Sequence, residues 1–338
     1  MLEFARHSAA DLNRIFREAE EQRTIRAYII EKDFWVCWLL RLVFADPDLG
    51  GHLVFKGGTS LSKVFGIIQR FSEDIDLSVD PVWLGFDGDM RPDAATSRSQ
   101  FEKRARVLED ACIAAVREQF MPALNRHIAA NLPGQPASAL TFEVDEATHS
   151  PVLLFAYPRA GQTGSLRPQV KLEFGSLYDQ RPTGTHTIKP LTAEVFPALF
   201  REPSCPVVAL EAERTFWEKA TLLHAEYHRP SDKPLTFGMS RHYSDLAALG
   251  RHAAGKRAIV DLDLLARVRV HKQTYFHSGW AHYNTAVPVS FHLVPAPERR
   301  VQIERDYRGM KDMFMVTPPP FATIMAELEG MERQINAA

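Results

Sequence analysis

Up to Phe44 the apolar residues recur at the three- and four-residue spacing of helices. A first helix is predicted over about 8–21, with Ser8 as its N-cap. A second is predicted over about 26–44, where Trp35, Trp38, Leu39, Leu42 and Val43 share a buried side. The run Asp46-Pro47-Asp48-Leu49-Gly50-Gly51 ends it as a turn. The period then shortens. Leu53-Val54-Phe55 reads as a strand that stops at Gly57 and Gly58, and a helix is predicted over 60–69. Ile75-Asp76-Leu77-Ser78-Val79 alternates as a strand does, placing Asp74, Asp76 and Ser78 on one face. After a Gly-, Asp- and Pro-rich loop over 85–96, helical spacing returns over 97–132. Strands are predicted over 140–144, 152–157 and 169–174, separated by Pro and Gly turns. From about Leu210 the pattern is mainly helical, broken at Pro318-Pro319-Pro320 before a last helix over 321–335. No internal repeat interrupts this order.

With 338 residues, 45% hydrophobic and 24% charged, the chain can bury a core and has room for two domains. A formal charge of −2 supplies no general field for nucleic acid, so such contact needs a local basic face. One stretch qualifies: Arg251, His252, Lys256, Arg257, Arg267, Arg269, His271 and Lys272 outnumber Asp261 and Asp263. It suits an RNA backbone and a solvated helical surface equally. Cys37, Cys112 and Cys205 form no CxxC pair, so neither zinc nor a disulfide framework is expected, and a reducing cytoplasm is. The start of the chain has no signal-peptide pattern. The most apolar stretch, 34–45, is too short and, with Arg41 inside it, too charged to cross a bilayer.

The chemistry concentrates in Lys56-Gly57-Gly58-Thr59-Ser60-Leu61-Ser62-Lys63 and Arg70-Phe71-Ser72-Glu73-Asp74-Ile75-Asp76-Leu77. A strand, a glycine pair and a helix opening at Thr59-Ser60 leave backbone N–H groups aimed at one point, as a phosphate needs. The glycines allow close backbone approach, and the two hydroxyls can add hydrogen bonds. Many such turns merely start helices, and Walker spacing is missing. Gly57, Gly58, Thr59, Ser60, Lys63, Arg70 and Ser72 form the candidate nucleotide-binding set. Asp74 and Asp76 repel each other on one strand face unless a cation such as Mg2+ offsets them. A solvated strand edge is the bland alternative. Their place just after the glycine turn favours an NTP-with-metal site. Metal-dependent nucleotidyl transfer commonly calls for a third acid. Glu173, an acid in the apolar strand Val170-Lys171-Leu172-Glu173-Phe174, is the candidate, with Lys171 on the same face as a plain salt-bridge partner. Later, Glu213, Trp217, Thr221 and His224 follow an i, i+4 stripe; Lys219 lies off it, facing a cleft or water. Asp245 lies near a helix start, where an acid also favours the helix dipole. The histidines show no ligand spacing.

These pieces occur in a characteristic order: Gly57-Gly58-Thr59-Ser60, the Arg70–Leu77 run, Val170-Lys171-Leu172-Glu173, Glu218-Lys219 and Arg241-His242-Tyr243-Ser244-Asp245-Leu246. Together they resemble the AbiEii/AbiGii toxin family of nucleotidyltransferases, within the DNA polymerase β-like superfamily. Glu31-Lys32-Asp33-Phe34, Asp306-Tyr307-Arg308-Gly309-Met310 and Met313-Phe314 extend the likeness over most of the chain. The resemblance implies an α+β fold: a polymerase β-like nucleotidyltransferase core with a mixed sheet over 1–205, then a mainly helical domain over 206–338 completing the site. It implies that Gly58 and Ser60 hold the β/γ phosphates and that Asp74, Asp76 and Glu173 bind Mg2+ or Mn2+. Lys219 would meet the triphosphate, and Asp245 would sit by the reacting groups and aid deprotonation of the acceptor. Where the family has Arg-Asp this chain has Arg241-His242, so that first acidic position is lost.

The expected activity is transfer of a nucleoside monophosphate from an NTP with release of pyrophosphate. The family implies the 3′ end of tRNA as acceptor, a role in toxin–antitoxin or phage-defence systems, and a cognate antitoxin as partner. A protein or small-molecule acceptor keeps the same chemistry. A catalytically dead nucleotide-binding module is the rival from another class, and the retained Asp74, Asp76, Glu173 and Lys219 weigh against it.

Overall fold

The computed structural model describes residues 1–72, 74–161 and 167–338; Glu73 of the central span lies outside them. They form two compact units. The first comprises Met1–Val64 with Ser72–Leu210, the second Phe65–Phe71 with Glu211–Ala338. The second unit therefore takes in a short segment that a linear division at residue 205 does not anticipate.

In the first unit, α1 (Ala9–Arg23) starts where Ser8 accepts the Asp11 N–H, as the cap residue predicts. The next helix, α2 (Ala27–Ala45), is buried on nearly every side, including Glu31, Lys32 and Asp33. Burying such side chains as Phe34, Leu39 and Leu40 contributes about 1.5–3 kcal/mol each. The sheet is built from β1 (Leu53–Lys56), β2 (Asp74–Val79), β3 (Leu140–Val144), β4 (Pro151–Ala156), β5 (Gln169–Gly175), β6 (Thr183–Ile188) and β7 (Cys205–Leu210). Its order is β3-β4-β5-β2-β1-β7-β6. The β2–β5 and β1–β7 pairs are parallel and the others antiparallel, so the sheet is mixed and the fold is α+β.

One face of β2 carries Ile75, Leu77 and Val79 into the core with α2. The other face carries the acids. Between β1 and β2 lies α3 (Gly57–Lys63), which begins at the glycine pair itself and ends before the predicted 60–69 span does. Helix α4 (Arg98–Ala115), a π-helical turn at Val116–Phe120 and α5 (Met121–Asn131) occupy the long helical stretch, and the short α6 (Leu191–Val195) precedes β7. Strands β6 and β7 escaped the pattern. Ile188 is the only aliphatic residue of β6, an edge strand, and β7 has Pro206 near its start.

The second unit contains α7 (Ala212–Tyr227), α8 (Ser240–Arg251), α9 (Ala253–Val260), α10 (Leu262–Tyr275), α11 (Arg300–Gly309) and α12 (Phe321–Asn336). Trp217 in α7 is fully buried and its indole N–H donates to the Ala258 carbonyl at 3.0 Å. Asp306 of α11 accepts the N–H groups of Gly238 and Ser240, fixing the start of α8. Phe65–Phe71 joins this unit through an antiparallel bridge between Arg70 and Phe314. Phe71 N–H donates to Met313 O at 2.7 Å, and Met315 N–H to Gln69 O at 3.0 Å. No helix among the described residues is long and apolar enough to cross a membrane.

Candidate active site

Register in the first unit aligns the acids. Asp76 of β2 lies opposite Glu173 of β5, and Asp74 opposite Lys171. On its other side Asp76 faces Lys56 of β1. Directly opposed residues share a sheet face, so Asp74, Asp76 and Glu173 stand with two lysines on one half-buried surface. Glu173 is ion-paired with Lys171, the side chains keeping 35% and 27% exposure. A pair so solvated is worth no more than about 1 kcal/mol. Burial disfavours the Lys171 charge, but Glu173, Asp74 and Asp145 outweigh that and hold its pKa above the ordinary value. Among the described residues no three His, Cys, Asp or Glu side chains stand close enough, as arranged, to hold a metal. The hard carboxylate oxygens on this face are nonetheless the donor type that Mg2+ takes.

Two further residues, Lys56 and Tyr178, border this face. The Lys56 ammonium lies 3.7 Å from the ring centre of Tyr178, a cation–π contact. Gly175 makes room for that ring: a Cβ there would come within 2.9 Å of Tyr178 Cδ2. The signal available was the strand alternation that sets Lys56 on the acid face.

The glycine turn meets the acids directly. Gly57 has φ +79°, in the region that favours glycine, and a Cβ on it would overlap the Asp76 carboxylate. No side chain caps the start of α3. Thr59 is buried and its hydroxyl donates to the Asp74 carbonyl, clamping α3 to the start of β2; the Ser72 carbonyl lies 3.4 Å from the same oxygen. The fully buried Ser60 hydroxyl donates to Gly57 O at 3.0 Å. Both hydroxyls, expected to face phosphate, thus turn inward to backbone carbonyls. Gly57 and Gly58 remain partly exposed. Lys63 needs a fuller correction. Its ammonium lies 2.6 Å from Asp33 of α2, with the side chains only 10% and 5% exposed. Burial opposes its charge, and Asp33 more than restores it, raising the pKa. A lysine so placed holds α3 to α2 and is not offered to a nucleotide.

The second unit gathers Arg70, Lys219, His242 and Asp245. Arg70 grips Asp245 in a two-pronged pair, Nε to Oδ1 and Nη2 to Oδ2, both 2.7 Å. Lys219 Nζ reaches Asp245 Oδ2 at 2.9 Å and His242 Nδ1 at 3.3 Å. Arg70, Lys219 and Asp245 are all buried. Burial alone would raise the Asp245 pKa; Arg70 and Lys219 overcome it and hold the carboxyl well below the usual carboxylate range. Burial lowers Lys219, against the pull of Asp245. Burial, then Lys219 and Arg241, push His242 well below its ordinary value, leaving a neutral ring whose Nδ1 accepts from the ammonium. The Arg70 guanidinium thus gives two of its N–H groups to Asp245. The two cations that hold Asp245 lower the basicity of its carboxylate.

Other candidate chemistry thins out. In the basic stretch Arg251 pairs with Glu327 and Arg257 with Glu213. Four histidines, His224, His228, His282 and His292, cluster in the second unit. The His224 ring is buried; Nδ1 accepts from His292 N–H at 3.1 Å and Nε2 donates to His282 O at 3.2 Å. That tautomer is neutral, and burial lowers its pKa to about 4. The three cysteines are free and buried.

The family described as nucleotidyl transferase AbiEii toxin, type IV TA system, matches residues 38–327. No curated protein matches the chain. A solved structure, the nucleotidyltransferase toxin MenT4 from Mycobacterium tuberculosis H37Rv, is similar over 98% of this chain and 90% of its own. The identity is 17% and the TM-score 0.49. The family match spans most of the chain, and the chain belongs to that family of nucleotidyltransferase toxins.

Proposed function

We propose that this AbiEii-family nucleotidyltransferase moves a nucleoside monophosphate from an NTP to the 3′ end of tRNA, using Mg2+ or Mn2+ held by Asp74, Asp76 and Glu173. The observation that carries the reading is the register that sets these three acids on one face, beside a glycine turn that leaves room for Asp76. A divalent cation there would neutralise the triphosphate and activate the attacking hydroxyl. The partly exposed start of α3, with no side-chain cap, offers N–H groups to phosphate through Gly57 and Gly58. For Lys219, which Asp245 and His242 hold within the second unit, the family resemblance supports a role toward the triphosphate. The tRNA acceptor and the role in phage defence are supported by the family resemblance, and a reducing, cytoplasmic setting by the three free, buried cysteines. Modified tRNA could not be aminoacylated, and growth would stop until a cognate antitoxin intervened.

The test is purified protein with Mg2+, each labelled NTP in turn, and total RNA or total protein. Label entering tRNA from one NTP supports the proposal. Label entering protein instead moves the acceptor and keeps the chemistry. Failure to transfer to any acceptor, or full activity in Asp76→Ala, overturns it.

A further inference from the structure

We propose that Lys171 is the resident counter-cation of the acid face and competes with the divalent metal for Glu173. The inference rests on the metal reading above and extends it to a residue with no part in that reading. Lys171 and Glu173 are two apart on β5, so both side chains leave the same face. Register puts Lys171 opposite Asp74 and Glu173 opposite Asp76, so the lysine stands within the row of acids. Its ammonium is paired with Glu173, the acid that would complete the metal set.

The two lysines of this face differ in how firmly they are held. Lys56 lies against the Tyr178 ring, and that ring is itself seated on Gly175. Lys171 is a quarter exposed and its partner a third exposed, so water reaches both and the partners can exchange. The contrast with Lys63 and Asp33, both nearly buried, is sharp: that pair cannot open without stranding charge. A monovalent ammonium on Glu173 lowers the negative potential of the face. A divalent cation must displace it, and the ammonium then stays within reach of the same row. Lys171 thereby sets the metal concentration at which Glu173 becomes available.

Mn2+ binding to the full chain without nucleotide, followed by electron paramagnetic resonance titration, tests this. Lys171→Met should tighten Mn2+ binding about tenfold, the effect of removing one nearby positive charge from a partly screened site. Lys171→Gln should do the same, guarding against a packing effect of methionine, and Lys171→Arg should not. Glu173→Gln should weaken binding and abolish the gain from Lys171→Met. Equal or weaker binding in Lys171→Met, or a gain that persists alongside Glu173→Gln, overturns the proposal. Absence of Mn2+ binding in every variant overturns both it and the metal reading. Mn2+ binding that behaves as expected without nucleotide transfer strikes only the proposed function.

Discussion

Replacing Gly57 with alanine probes the contact between the glycine turn and the acid face. The backbone there has φ +79°, which costs an L side chain roughly 1–2 kcal/mol. The new Cβ would lie 2.7 Å from Asp76 Cγ and 3.0 Å from its Cβ, where ordinary contact begins at 3.4 Å. Backbone on both sides belongs to α3 and β2, so the Asp76 side chain must give way first. Rotation of this half-buried side chain relieves the overlap with its carboxylate, while the Cβ contact needs a backbone shift of a few tenths of an ångström, so total destabilisation should lie near 1–3 kcal/mol. Activity should suffer far more, because a shift of about 1 Å in a reacting group costs on the order of 100-fold. The measurement pairs urea denaturation with transfer of labelled NTP. Gly51→Ala is the control: nothing lies within 4 Å of that position, and stability should stay within about 0.5 kcal/mol. A Gly57→Ala protein that transfers nucleotide within about threefold of the parent would show that Asp76 need not stand where the glycine lets it, and the reasoning would fall.

Arg70→Ala leaves Asp245 buried without its two-pronged partner and should cost about 3–5 kcal/mol in urea denaturation. Lys63→Ala should lower stability by a similar order, about 3 kcal/mol, while leaving NTP affinity in calorimetry unchanged, the reverse of what a nucleotide-binding lysine would do. His224 is held neutral in the fold with a pKa of about 4, against 6.5 in the unfolded chain. The unfolded state alone gains its proton as pH falls from 6.5 to 4, so stability is full above that window and drops through it by about 3 kcal/mol. Thermal melts across the window should show this slope, and His224→Gln should flatten it.

The helices are readable where an apolar stripe is long, as in α1 and α12, or where the apolar run itself is long, as in α2. Strands β2 and β5 were readable because they alternate, whereas the Thr-rich edge strand β6 buries too little to leave a pattern. Two glycines argue locally against helix, yet α3 starts on them because β1 and β2 dictate where the chain must turn. The acids could be proposed from sequence, but their alignment depends on the β2–β5 register, which pairs residues far apart along the chain. The partners of Lys63 and Arg70 are hidden from the sequence for the same reason. Each looks like an open cation beside a glycine turn, while its carboxylate partner stands 30 or 175 positions away.

The segment Phe65–Phe71 makes the helical unit discontinuous along the chain. A fragment beginning at Glu211 would retain every long helix of that unit and still be incomplete. It would lack the strand that bonds to Met313 and Met315, and Asp245 would lose the guanidinium that supplies two of its hydrogen bonds. Gene splitting, domain exchange or recombination at that boundary should therefore yield a helical piece that folds poorly alone. Supplying residues 65–71 in trans or by fusion should restore it.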